Sequence, residues 1–186
     1  MARGRKSEQI KRVTKNDGEA MKSIAHTGLI TRSNAKEYFK LNDKRIELLK
    51  KNNYLIEQTK YTRNGMRTYY TLGKAGVSFI KEKTNIDYLY RGNHNQVEHD
   101  IKLNQAYCQM SHEQRQGWLN ENQIINRWEQ LSSETKHVTG VDGLVVTGEG
   151  LIAIEIITKN YGEVEIQEKQ DAAIALGCNR MVMINA

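Results

Sequence analysis

Proline is absent from this 186-residue chain, and phenylalanine, tryptophan and cysteine each occur twice. We find no structural reason for the missing proline. Cys108 and Cys178 are isolated and lack paired spacing, which excludes a disulfide-framed scaffold and favours free thiols in a reducing cytoplasm over a single disulfide. Cys108 has no activating partner in the sequence, so cysteine catalysis is unsupported. No apolar run approaches the length of a bilayer span, and the N-terminus lacks an apolar signal-peptide core. A cytoplasmic protein without membrane contact is therefore expected. Gly140, Gly143, Gly148 and Gly150 sit at expected strand ends and lack the lysine-serine pair of a Walker loop. His94, His99 and His112 form no zinc pattern with the cysteines and read as ordinary surface or core histidines.

What is present is an ordinary globular composition, 38% hydrophobic and 27% charged, long enough for one large domain or two small ones. The net charge of +6 is unevenly placed. Residues 1–91 hold 21 Lys and Arg against 9 Asp and Glu, a net +12; residues 92–186 hold 7 against 13, a net −6. A basic half joined to an acidic half predicts two modules with different partners, the first suited to a polyanion.

Residues 1–16 carry Arg3, Arg5, Lys6, Lys11, Arg12 and Lys15 with little apolar content. They read as a flexible basic arm, either a solvated tail or an arm that orders along phosphates. Residues 17–27 predict a first helix with Met21, Ile24 and Ala25 inward, ended by Gly28. Thr31 precedes a second helix over 32–39 with Ala35, Tyr38 and Phe39 on one face. Asn42 is placed to cap a third helix over 43–52, with Ile46 and Leu49 inward. Runs 54–60 and 66–72 are β-prone and joined through Arg63-Asn64-Gly65, a strong hairpin signal. A further helix over 74–83 closes this half, and 84–95 read as a linker.

Helix, turn, helix and then a basic hairpin resembles the winged-helix DNA-binding family over residues 17–83, within an expected DNA-binding domain of 17–91. The resemblance implies that the third helix reads duplex DNA and the hairpin lies on phosphate. The candidate DNA-contacting residues are Thr31, Arg32, Asn42, Lys44, Arg45, Lys50 and Lys51, with Lys60, Arg63, Asn64 and Arg67 on the hairpin. The bland alternative is that these charges solvate the exposed face of a core helix.

In residues 92–186, a helix is expected over 94–111, with Val97, Ile101 and Cys108 at helical spacing. Residues 118–128 read as a strand, 131–140 as a loop, and 141–147 and 151–158 as an antiparallel hairpin turning at 148–150. A helix over 163–176 and a strand over 180–185 finish the chain. This αβββαβ order resembles the restriction-endonuclease-like fold, the PD-(D/E)xK nucleases, and makes the whole an α+β or α/β chain. The resemblance rests on Val141-Asp142-Gly143 and Ile154-Glu155-Ile156. It implies Asp142 and Glu155 as Mg²⁺ ligands and a lysine that orients the attacking water. The family's proline is Val141 here, and its lysine position is Ile157. The nearest lysine along the strand, Lys159, shares the Glu155 face about 7 Å further on, at about 3.3 Å per residue. Glu98 is a candidate extra acidic residue. A carboxylate in so apolar a strand is costly unless bound to metal or paired, here with Lys159 or Lys169.

Together the two halves resemble the replication-relaxation family of plasmids and mobile elements, and mobilisation accessory proteins that help a relaxase at an origin of transfer. That implies a homodimeric, sequence-specific DNA binder that positions a relaxase or replication initiator. Two alternatives stand beside it: an Mg²⁺-dependent endonuclease addressed by its winged helix, with Asp142, Glu155 and Lys159 catalytic, and a dimeric transcriptional repressor.

Overall fold

The computed structural model describes residues 9–92, 94–131 and 140–186. Arg3, Arg5 and Lys6 of the basic arm, and most of the loop expected over 131–140, lie outside them. The first half contains α1 (Lys15–Thr27), β1 (Ile30–Thr31), α2 (Arg32–Glu37), α3 (Asp43–Lys51), β2 (Leu55–Thr62), β3 (Gly65–Leu72) and α4 (Lys74–Lys83). The second contains α5 (Val97–Gln109), α6 (His112–Gln116), β4 (Trp118–Asn120), α7 (Glu121–Asn126), α8 (Trp128–Leu131), β5 (Gly143–Thr147), β6 (Gly150–Ile157), α9 (Glu163–Ala175) and β7 (Arg180–Asn185). The chain is thus α+β, with two separate sheets.

Local chemistry sets the boundaries. Thr14 and Asp17 form a capping box at the start of α1, and Gly28 ends the helix at φ +84°. Thr31 caps α2 by accepting from Asn34, and Asn42 caps α3 by accepting from Arg45. The hairpin turns on Arg63-Asn64, with Thr62 paired to Gly65 and Tyr61 paired to Met66. Gly65 holds φ +94°, which a side chain would strain. β1 adds to the other edge of β3, giving the order β1-β3-β2.

The strand expected over 118–128 is corrected. Only Trp118–Asn120 is strand; α7 and α8 follow it. Asn120 and Gln123 form a reciprocal capping box, which starts a helix where Ile124-Ile125 suggested extended chain. The second sheet runs β4-β5-β6-β7. β4, β5 and β6 pair antiparallel, and β7 returns through α9 to lie parallel to β6.

One buried cluster runs through both halves. Met21 and Ile24 of α1, Ile46 and Leu49 of α3 and Tyr70 of β3 join Leu103 and Tyr107 of α5, Trp118 of β4, and Ile154 and Ile156 of β6. The opposite face of the second sheet, with Leu144 and Ala153, packs on Ala172, Ala173 and Leu176 at the end of α9, and on Ile124 of α7. A buried polar network also spans the halves. Asn34 donates to Asn104 at 2.8 Å, and Asn104 donates to Ser23 at 2.7 Å and Thr27 at 2.9 Å. α5 is therefore anchored to α1 and α2 by hydrogen bonds that satisfy each buried amide.

Candidate functional site

Two regions hold the residues singled out above: an exposed basic face in the first half and a buried carboxylate cluster in the second.

On the basic face, Asp43 at the start of α3 pairs with Arg32 at 2.8 Å and Lys36 at 3.2 Å, tying α2 to α3. Lys50 near the end of α3 pairs with Glu47 and Glu57, each at 2.9 Å, tying α3 to β2. Lys44 and Lys51 are exposed on α3, and Arg63 and Asn64 are exposed at the hairpin tip. Thr31 and Asn42 spend a side-chain oxygen on capping.

Three candidates point elsewhere. Arg45 forms a two-pronged ion pair with the buried Asp17 and donates to the Arg12 carbonyl at 3.0 Å. Burial pushes the Asp17 carboxyl up, but hydrogen bonds from Arg45 and Thr14 outweigh it and hold it below its ordinary value. Arg67 lies on the α5 side of the hairpin, 2.9 Å from Glu98, which also accepts from Thr62 at 2.6 Å. Glu98 is thus the hairpin's anchor on α5. Lys60 donates to Asn95 on the same side, at 3.4 Å. Side chains alternate along β2, so Tyr61 lies on the other face, that of Glu57 and Lys50, where it and Met66 are 82% and 71% exposed.

The carboxylate cluster forms where α5, β5, β6 and α9 meet. Asp142, just before β5, accepts from Ile156 N at 2.7 Å and meets His99 Nε2 at 3.0 Å. The other His99 nitrogen, Nδ1, lies 3.1 Å from Asp100, which also accepts from Tyr90 at 3.1 Å. Glu155 is fully buried. It accepts from Asp142 N at 3.1 Å, from Tyr161 at 2.8 Å, and pairs with Lys169 at 2.9 Å. Lys169 also donates to the Gly140 carbonyl at 2.6 Å. Gly143 lets Trp118 pack against the strand; a Cβ there would come within 2.3 Å of the indole.

The Glu155, Asp100 and Glu121 carboxyls of the cluster are raised, chiefly by burial. Burial raises the Glu155 carboxyl and the Asp142 charge raises it further, against the pull of Lys169 and Tyr161. Asp100 and the nearby Glu121 are also raised, burial being the larger cause in each. Burial opposes a charge on His99, yet hydrogen bonds and charges from Asp100 and Asp142 raise its pKa to about 10. Two flanking carboxylates on opposite ring nitrogens favour the imidazolium, donating from both. Four carboxyl groups face two cations, His99 and Lys169.

Asp142 and Glu155 are thus brought together. Lys159 is not with them: β6 ends at Ile157, and Lys159 is exposed beyond it. The amine beside Glu155 comes from Lys169 of α9. Its signal was legible: Lys169 falls on the buried stripe with Ala172, Ala173 and Leu176, at helical spacing. His99 and Asp100 were missed as site residues, although they form a polar pair on the stripe of α5 that carries Leu103 and Tyr107. The donor chemistry suits a hard divalent cation. As the side chains stand, protein donors fill those oxygens, and among the described residues no three His, Cys, Asp or Glu side chains converge as a ligand set.

Among the described residues, no helix is long and apolar enough to cross a membrane. No family model, curated protein or solved structure matches this chain.

Proposed function

We propose that this chain is a double-stranded-DNA-binding accessory protein of a mobile element, with a winged helix whose α3 and β2–β3 hairpin contact the duplex. The observation that carries the reading is a set of exposed basic side chains on α3 and at the hairpin tip. Lys44 and Lys51 are exposed on α3, Arg63 and Asn64 are exposed at the hairpin tip, and the Asp43 and Lys50 ion pairs link α2, α3 and β2. Exposed pairs of this kind are worth little, so Arg32, Lys36 and Lys50 can exchange a carboxylate for a phosphate at small cost. Binding as a homodimer, and positioning a relaxase or replication initiator, belong to the same proposal.

The test is a salt titration of duplex binding, using DNA from the protein's own neighbouring sequence. Lys44→Ala plus Lys51→Ala is expected to weaken binding and to reduce the salt slope by about 2, one unit for each lost phosphate contact. An unchanged slope overturns α3 as the contacting helix.

The convergence of Asp142 and Glu155 favours a second reading, an Mg²⁺-dependent endonuclease addressed by the same DNA-binding half. Asp142 and Glu155 would hold the ion, and Lys169, not Lys159, would stand beside the reacting water. A bound Mg²⁺ would lower the water's pKa and neutralise developing phosphate charge. Nicking of supercoiled DNA in Mg²⁺, lost in Asp142→Asn with DNA binding retained, would establish it; no cleavage with intact binding would leave the accessory reading alone.

A further inference from the structure

A cleft of about 720 Å³ opens between α1, the segment after α4, α6 and the start of α7. None of its lining residues belongs to the basic face or the carboxylate cluster. Four basic side chains line it, Lys22, Lys83, Arg115 and Arg127, against two acidic ones. Both acids are already neutralised: Glu19 lies 2.9 Å from Lys22, and Asp87 lies 2.6 Å from Arg127. Arg115 and Lys83 remain as uncompensated positive charge among the lining residues.

Three buried side-chain nitrogens without a hydrogen-bond partner belong to residues of this same lining: Arg115 Nε, Trp118 Nε1 and His26 Nδ1. Buried polar groups are nearly always paired, so three orphans around one cleft require an account. Arg115 Nε and Trp118 Nε1 can only donate. His26 is 5% exposed, and burial, with Lys22 nearby, pushes its pKa down to about 3. It is therefore neutral, and its unpaired Nδ1 donates in one tautomer and accepts in the other. A lining rich in donors and in net positive charge selects a ligand rich in acceptors and negative charge. A cationic molecule would be repelled by the Arg115 and Lys83 charges.

We propose that this cleft binds a small phosphate-bearing ligand, held by Arg115 and Lys83 beside His26 and Trp118. The geometry suits this division of labour. α6 starts from a Ser111–Gln114 capping box, so Arg115 is set by a short, well-defined turn, with its guanidinium 5.8 Å over the Phe39 ring. Lys83 lies in the last turn of α4, exposed, where its amine can swing over the opening. The cleft is far larger than one phosphate group, which leaves room for the rest of the ligand.

The experiment is NMR on the full chain, following the His26 ring while inorganic phosphate or pyrophosphate is added. A saturable shift is expected, with the dissociation constant roughly tenfold weaker in Arg115→Gln and severalfold weaker in Lys83→Ala. The Lys44→Ala plus Lys51→Ala variant is expected to titrate like the parent. A nearby bound anion also raises the His26 pKa, which binding elsewhere would not do. Absence of any His26 shift at millimolar phosphate overturns the proposal, as does a shift that survives both cleft variants. A shift given by a DNA oligonucleotide but by neither phosphate probe also overturns it, making the cleft a nucleic-acid surface. If Arg115→Gln does not fold, Lys83→Ala decides alone, since that side chain is exposed.

Discussion

The basic face and the carboxylate cluster both hold charges in pairs, but under opposite conditions. Arg32 and Asp43 are each about half exposed, so water screens the pair and it contributes little to stability. Glu155 and Lys169 are buried, so each relies on the other and on Tyr161 and Gly140 for what water would supply. The face can lose a partner cheaply, and that suits a surface that trades carboxylates for phosphates. The cluster cannot, and four carboxyl groups against two cations is an arrangement that stability alone would not favour. An apolar group of similar volume in place of the Glu155–Lys169 pair would often be neutral or stabilising.

The largest expected effect breaks the cluster. Lys169→Met leaves Glu155 buried beside Asp142 without its cation, and is expected to cost about 3–5 kcal/mol in denaturant unfolding at neutral pH. Glu155→Gln added to Lys169→Met removes the stranded charge and should restore at least half of that loss. A single-variant cost below about 1 kcal/mol would mean that Glu155 simply takes up a proton, and that the pair is not charged in the folded protein.

The next effect separates the Asp17–Arg45 pair of the first half from the cluster by the sign of their pH dependence. Asp17 is held below its ordinary value of 3.8. Its contribution is present above that pH and is lost as pH falls through the folded value. His99 is raised from 6.5 to about 10. Its contribution is complete below about 6.5 and is lost as pH rises towards 10. Melting temperatures in metal-free buffer should therefore decline on both limbs. His99→Gln should flatten the alkaline limb and spare the acid one; Arg45→Met should do the reverse. An alkaline limb unchanged in His99→Gln would show that the imidazole is neutral between Asp100 and Asp142.

How much of this was legible differs between the regions for a physical reason. The basic face is built from local signals: Gly28 stops α1, Asn42 caps α3, and Arg63-Asn64 followed by Gly65 turns the hairpin, each acting within a few residues of itself. The cluster is assembled by contacts distant in sequence. Asp142 and Glu155 stood out because they interrupt apolar strands, but their partners come from α5 and α9. Choosing Lys159 assumed that β6 continues past Ile157, whereas the chain turns there, with Tyr161 N bonded to the Thr158 carbonyl at 3.1 Å. Extending a strand through Ile124-Ile125 likewise weighed β-branched residues above the Asn120–Gln123 capping box, and the cap decided. Neither the charge split nor the linker composition foretold that Leu103, Tyr107 and Trp118 would join the core of the first half.

The smallest expected effect sharpens the contrast most. Lys44→Ala plus Lys51→Ala removes two exposed cations from α3 and buries nothing new, so unfolding free energy should change by less than about 0.5 kcal/mol. Alanine is also a better helix former than lysine, which offsets part of any lost pairing. The same variant is the one expected to weaken duplex binding and flatten its salt slope. A large loss of DNA affinity at constant stability therefore assigns the face to binding. If stability fell with affinity, the α3 lysines would be supporting the fold, and the cheap exchange of carboxylate for phosphate proposed for this face would not operate.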